Sequence, residues 1–398
     1  RQDLETRFEL KSLGIDLASS AHATSEDFRG SHQSRPYGDG YDMGAIESTR
    51  CVISDTDLLR EHVRHVNNGT QVQISDPICS INDISDWVLD GITSLESVFE
   101  SMDQIGNVDL SGWNVQSVTT MFETFFGATS FNGNLSGWNT SNVQNLAHTF
   151  RDASLFSGTG LEDWNTASVT TLESTFRSSG LTEDVGRWNV QSVRSIARTF
   201  YNARDFHSDT IGHWNVENAN TLMSTFRGAS SFNGDLSSWN VTSTLTNMQH
   251  TFRDAELFDG NGIGRWDTSS VTIMKYAFDG AISFNGNVEN WNIERVVNFE
   301  YMFEDASSFD RNISVWNINS GSATTSMFDG NLGLSDCMRT SIYNIWSGRG
   351  VEISSFANFV CEETTTTTTV APTTEEVVST EENTIDTTSS VTTEETVS

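Results

Sequence analysis

The stretch WNVQSVTTMFETFFGATSFNGNLSGWN, residues 113–139, begins and ends on the same Trp-Asn pair and contains no histidine, cysteine or lysine. Variants of it recur along most of the chain. Trp87, Trp113, Trp138, Trp164, Trp188, Trp214, Trp239, Trp266, Trp291 and Trp316 stand 24 to 27 residues apart, and from Trp113 onward each is followed by Asn or, at Asp267, by Asp. A period of this length marks a repeat architecture.

Apolar residues keep register between the tryptophans. Val143, Leu146, Phe150 and Ala153 are spaced three, four and three apart, as are Val118, Met121, Phe125 and Ala128, and the pattern returns at Val169, Val193 and Val271. That spacing predicts an amphipathic helix. Ser117, Asn142, Ser168, Ser192, Asn218 and Ser270, just ahead of the first apolar residue, are expected to cap it. A second aromatic follows at Phe131, Phe156, Phe206, Phe232, Phe258, Phe284 and Phe309, commonly leading into a turn such as FNGN, where Gly and Asn are expected to supply positive φ. An L-S-x-W-N segment, with Leu135 and Trp138 as its apolar pair, is expected to be a short strand, and the Asn after each Trp to form an internal ladder. One helix and one strand in a unit this short cannot bury their own apolar faces, whereas stacked neighbours can. The expected fold class is therefore an α/β solenoid of about ten 25-residue units, on the order of 50 Å long at a spacing of about 4.8 Å. Phe125, Phe150, Phe176 and their equivalents are expected to fill its core.

The pattern WNxxxVxxMxxxFxxAxxFNGxLSxWN over residues 87–330 resembles the BspA-like surface-protein repeat. The resemblance implies a leucine-rich-repeat-like right-handed coil, an extracellular or cell-surface location, and an adhesive or structural role with no reaction. Val88 in place of Asn, and the lost register around NSGSATTSMF, depart from the pattern at the two ends, where capping units are atypical.

Four cysteines fall as one pair before the repeats, Cys51 and Cys79, and one after, Cys337 and Cys361. Local pairing would staple an N-terminal cap (51–86) and a C-terminal cap (331–361), each loop contributing roughly 3 to 4 kcal/mol in the loop-entropy model. Disulfides also fit an oxidising compartment. Residues 1–50 read as a non-repeat arm. Residues 362–398 form a Thr/Ser/Glu tail with no Gly, aromatic or basic residue. Such a tail suits an O-glycosylated stalk, with Thr364, Thr365, Thr366, Thr367, Thr368, Thr369, Thr373 and Thr374 as acceptors, or an extended segment lying along a neighbouring subunit. Because the chain opens at Arg1 rather than Met, it reads as a processed form.

A formal net charge of -32 disfavours nucleic acid as a partner. No apolar run is long enough to span a bilayer. Against this acidic background Arg151, Arg177, Tyr201, Arg227 and Arg253 stand directly after the repeated core phenylalanine. Either Asp152, Asp254 or nearby glutamates pair them, or they form an anion-binding strip for a neighbour's Glu-rich tail or an acidic glycan. N-glycosylation sequons occur at Asn68, Asn134, Asn139, Asn240 and Asn312. Asn68, Asn134 and Asn312 are the candidates, since Asn139 and Asn240 hold the expected ladder position.

The sequence contains no G-x-S-x-G, P-loop or HExxH motif, and an enzyme is not expected. His62 and His65 could share a helix face, a weak metal signal. No cofactor is implied, though the turn DGNG at 259–262 could hold Ca²⁺ weakly. Two functions are expected from this reading. One is a self-assembling subunit of an extracellular fibre, sheath or appendage, joined through its arm and glycosylated tail. The other is a monomeric adhesin or receptor whose solenoid face binds a glycan or peptide.

Overall fold

The computed structural model describes residues 51–68 and 84–361. The chain divides after Cys361. The tail with its threonine acceptors, the arm 1–50 and Cys79 lie outside the described residues.

Within a repeat, backbone donors alternate between two destinations. Met121, Glu123, Phe125 and Gly127 donate to the carbonyls of Asn145, Ala147, Thr149 and Arg151 in the next repeat, at 2.8 to 3.2 Å. Thr124, Phe126 and Ala128 donate three residues back, to Met121, Glu123 and Phe125. The expected amphipathic helix is therefore replaced by a run of turns, because an α-helix would send each N–H four residues back. Glu123 (φ 55°) and Gly127 (φ 67°) enter the left-handed region between turns, and Ser174, Asp254 and their equivalents do the same. Polar residues and glycine supply most of these positions, where a β-branched side chain would be strained.

The parallel backbone ladder also runs in this segment. Ser94, Thr120, Asn145, Thr171 and Ser195 are bridged in succession, as are Thr221, Asn247, Ile273, Asn298 and Ala323. The L-S-x-W segment, read as a strand, closes instead on a turn in which the Trp138 N–H reaches the Leu135 carbonyl at 3.3 Å. Gly133 does not have positive φ as expected. It is there for close approach, since a Cβ would fall 2.1 Å from the Val108 carbonyl oxygen.

The inward-facing residues are those the spacing selects. Phe99, Phe125, Phe150, Phe176, Phe200, Phe226, Phe252, Phe278, Phe303 and Phe328 stack ring on ring. Phe125 through Phe303 are wholly buried. Full burial of such a side chain stabilises by roughly 1.5 to 3 kcal/mol. The tryptophans form a parallel column, Trp113 lying 6.5 Å from Trp138.

Polar ladders tie the units together, and they are not those expected. Buried threonines form one of them: Thr149 Oγ1 donates to Leu146 O in its own unit and to Met121 O in the unit before, at 2.7 and 2.9 Å. The asparagine ladder belongs to the FNG turn, where the Asn132 side-chain oxygen accepts from Ser157 N and the Asn233 oxygen from Asp259 N. The Asn after Trp serves its own turn: Asn139 Oδ1 accepts from Ser141 N at 3.2 Å. The expected helix caps instead reach the unit before, Asn142 to Gln116 O and Ser168 to Ser141 O, both at 2.8 Å.

Helices cover both ends of the described stack. At one end lies Thr56–Asn68, burying Leu59, His62 and Val63, beside a parallel pair of strands, Val52–Ile53 and Val88–Leu89. At the other, Ser335 caps the helix Asp336–Ser347 by accepting from Met338 N. Trp346 from that helix and Phe356 pack on Phe328. A disulfide joins Cys337 to Cys361. Cys51 is also disulfide-bonded.

Candidate functional site

The residue after each core phenylalanine takes the same place in successive units, so one residue per unit adds to a lateral column. Along it stand Glu100, Phe126, Arg151, Arg177, Tyr201, Arg227, Arg253, Asp279, Glu304 and Asp329. The five residues singled out from sequence thus fall together, in the middle of the column. Arg198, His250 and Lys275, in the adjoining positions after the Met column, join them and were not singled out. Their signal was available: each lies one or two residues past the second core position of its unit, at Ile196, Met248 and Met274.

The arginines differ in their partners from unit to unit. Arg151 meets Asp152 at 3.2 Å and His148 at 3.2 Å, with its guanidinium 4.9 Å from the Phe126 ring. Arg253 Nε lies 2.9 Å from Asp279 and 3.5 Å from Asp254. The Arg253 N–H is not directed along the Asp279 contact, so this is a charge contact rather than a hydrogen bond. Arg198 pairs with Glu173, and Lys275 with Glu300. Arg177 and Arg227 differ. They lie 4.8 and 5.1 Å from the Tyr201 ring, one from the unit before and one from the unit after, with no carboxylate within ion-pair distance of either among the described residues. The buried Nε of Arg177 has no hydrogen-bond partner.

Charge is sorted along the stack. Burial, and then the charges of Arg227, Arg253, Lys275 and Arg198, push His250 down to about 4. Burial, then Arg151, also lowers His148. Beyond the arginines the sign reverses: burial pushes Asp279 up to about 6, with Arg253 opposing and Glu304, Asp254 and Asp305 reinforcing the rise. Glu304 is raised by burial and by Asp305 and Asp329. At the other flank Glu123 is raised by burial and by Glu100.

The remaining candidates are structural in this geometry. His62 is buried, its Nδ1 2.7 Å from Leu58 O and its ring edge-on to Trp87. No group of three or more His, Cys, Asp or Glu side chains converges as a metal site among the described residues. The carboxylate of Asp259 in DGNG accepts from Asn261 N at 2.8 Å and so shapes its own turn. A cavity of about 430 Å³ is lined by residues 289–294 and 315–317, with Glu289 and Glu294 as its ionisable groups. Among the sequons, Asn312 is exposed and Asn134 half-buried, while Asn68 ends the first helix. Asn139 and Asn240 are exposed, and the Asn139 side-chain oxygen serves its own turn rather than the expected ladder between units.

Stacked, regularly repeated units with a side-chain column on one face define a repeat protein. The family described as "Mycoplasma protein of unknown function, DUF285" matches residues 72–181, 178–261 and 241–339, and the chain belongs to it. No curated protein and no solved structure matches the chain. No helix among the described residues is long and apolar enough to cross a membrane.

Proposed function

We infer that the chain is a solenoid of the leucine-rich-repeat kind that works outside the cell, without catalysis, by presenting a lateral face to a partner. The observation carrying this reading is the Arg177–Tyr201–Arg227 group. Hydrogen bonds between units account for the Thr, Asn and Ser ladders, but these two guanidinium groups have no such acceptor. The BspA-like pattern supports a cell-surface location, as does the disulfide Cys337–Cys361. Antibody labelling of unpermeabilised cells of the native source tests the location, with labelling expected. Labelling only after permeabilisation removes the reading.

The composition of residues 362–398 favours a second reading, a subunit of a fibre or sheath assembled through that tail and the arm 1–50 with O-linked sugars. Helices cover both ends of the described stack, so growth in this reading runs through the terminal segments rather than by adding unit to unit. Electron microscopy of the full chain should then show regular filaments that vanish when residues 362–398 are removed. Dispersed particles under all conditions remove this reading.

A further inference from the structure

Arg177 and Arg227 each carry five N–H donors in a planar fork, the geometry that grips carboxylate or sulfate in pairs. Tyr201 holds both forks in place from the two sides of its ring. Arg198 and His250 stand in the neighbouring column, and Arg151 and Arg253 extend the line by one unit at each end. Cations at four of five successive positions in the column, with Arg198 beside the Tyr201 position, match a ligand that is itself linear and regularly charged.

Three classes of linear polyanion could follow such a line. An acidic peptide that docks by strand addition needs an exposed backbone edge. Here the edge is closed: Arg177 N donates to Ser174 O, Ser178 N to Tyr201 O, Arg227 N to Ser224 O and Gly228 N to Arg253 O. A nucleic acid needs free aromatic faces on which bases stack. Tyr201 has both faces covered by guanidinium, and Tyr276 and Tyr301 cover one another at 4.6 Å. What the strip offers is charged side-chain donors alone. The geometry points to a binding site for a linear acidic polysaccharide, bearing carboxylate or sulfate groups, centred on Arg177 and Arg227. The acidic flanks, Glu100 and Glu123 on one side and Asp279, Glu304 and Asp329 on the other, bound the site to the middle units and repel a longer register. His250 lies within this field, its imidazole held well below the usual value by burial and then by the surrounding cations.

The site rests on the reading of the chain as an interaction surface, and one set of measurements separates the two. Binding of the full chain to heparin, as the sulfated probe, and to polygalacturonate oligosaccharides, as the carboxylated probe, is followed by calorimetry at about 50 and about 300 mM salt. Binding to at least one probe is expected, weakening with salt. The Arg177→Gln/Arg227→Gln variant should lose about tenfold or more in affinity. Arg187→Gln/Arg265→Gln, exposed arginines outside the column with the same change in net charge, should lose far less. The two probes distinguish sulfate from carboxylate recognition. In the bound state the His250 imidazole, followed by NMR, should titrate at higher pH than in the free chain. Equal losses in the two variants, no binding to either probe, or tighter binding to poly-glutamate or single-stranded DNA overturns the site. If the site fails while the chain still labels at the cell surface, the broader reading stands; absence from the surface removes that reading whatever the probes do.

Discussion

The indole Nε1 of Trp138 donates to the backbone carbonyl of Leu110, 28 residues earlier, at 2.8 Å. Trp113, Trp188, Trp214, Trp239, Trp291 and Trp316 repeat this bond to the unit before. Trp164 and Trp266 do not, and their Nε1 atoms are buried without a partner. Both follow a glycine of positive φ, Gly160 and Gly262, whose backbone crowds the equivalent carbonyls: a Cβ would lie 2.5 Å from the Leu135 carbonyl carbon and 2.4 Å from that of Leu236.

Trp138→Phe should therefore cost about 1 kcal/mol more than Trp164→Phe, the worth of one hydrogen bond, since both lose the same ring area. Denaturant midpoints of the two variants check this. Equal losses would mean that the indole bond contributes nothing.

Thr175 is wholly buried and its hydroxyl reaches Leu146 O and Leu172 O at 2.9 and 2.8 Å. Thr175→Val keeps the shape and loses both hydroxyl bonds, while Leu146 O and Leu172 O keep the Thr149 and Thr199 hydroxyls as donors, so it should destabilise by about 1 kcal/mol. Thr175→Ser, which keeps the donor, should lose less. The opposite order in thermal melts would show packing, not the hydroxyl, to be the use of this column.

Ser178 lies at φ 52°, where Gly228 and Gly280 stand in later units. Ser178→Gly should be neutral or stabilising, whereas Ser178→Val should cost about 1 to 2 kcal/mol or more. Equal stability of the two variants would remove the left-handed requirement.

Asp279 and His250 give stability opposite dependences on pH. The folded Asp279 pKa, about 6, exceeds the usual carboxylate value, so the native state binds the extra proton and stability falls as pH rises from about 4 to 6. The folded His250 pKa, about 4, lies below the usual imidazole value of 6.5. The unfolded state there binds the extra proton, and stability rises over the same range. Asp279→Asn should make the slope of stability against pH more positive, and His250→Gln more negative. Urea melts at several pH values read both, and slopes that move together would contradict the assignment.

Much of the interior was legible because apolar spacing reports which side chains face inward whatever the backbone does. Val118, Met121, Phe125 and Ala128 are buried as the spacing requires. The backbone itself was misread, since three-four-three spacing suits a helix and a run of turns alike. Gly127, Gly228, Gly280 and Gly330 two residues after the core phenylalanine, and Thr124 and its equivalents just before it, were the discriminating signals. A helix interior has little use for that much glycine and β-branched threonine. The ladders were misassigned for a related reason. Asn follows Trp in eight units and the second Phe in only three, so frequency favoured the wrong position, and only the hydrogen bonds show that Asn132 crosses to the next unit while Asn139 does not. The arginine strip was visible as a column, but the separation of Arg151 and Arg253, which meet carboxylates, from Arg177 and Arg227 depends on side-chain distances.

The terminal helix imitates what it closes. Trp346 directs its indole to the Ser314 carbonyl at 3.3 Å, and Arg349 reaches Trp316 O, much as another turn of chain would. A gene encoding such a protein can gain or shed a single period by recombination between its own near-identical tracts, and the seam left behind meets familiar chemistry on both sides. Length is thereby a heritable quantity, free to drift in whole steps while the fold at every step remains the one already selected.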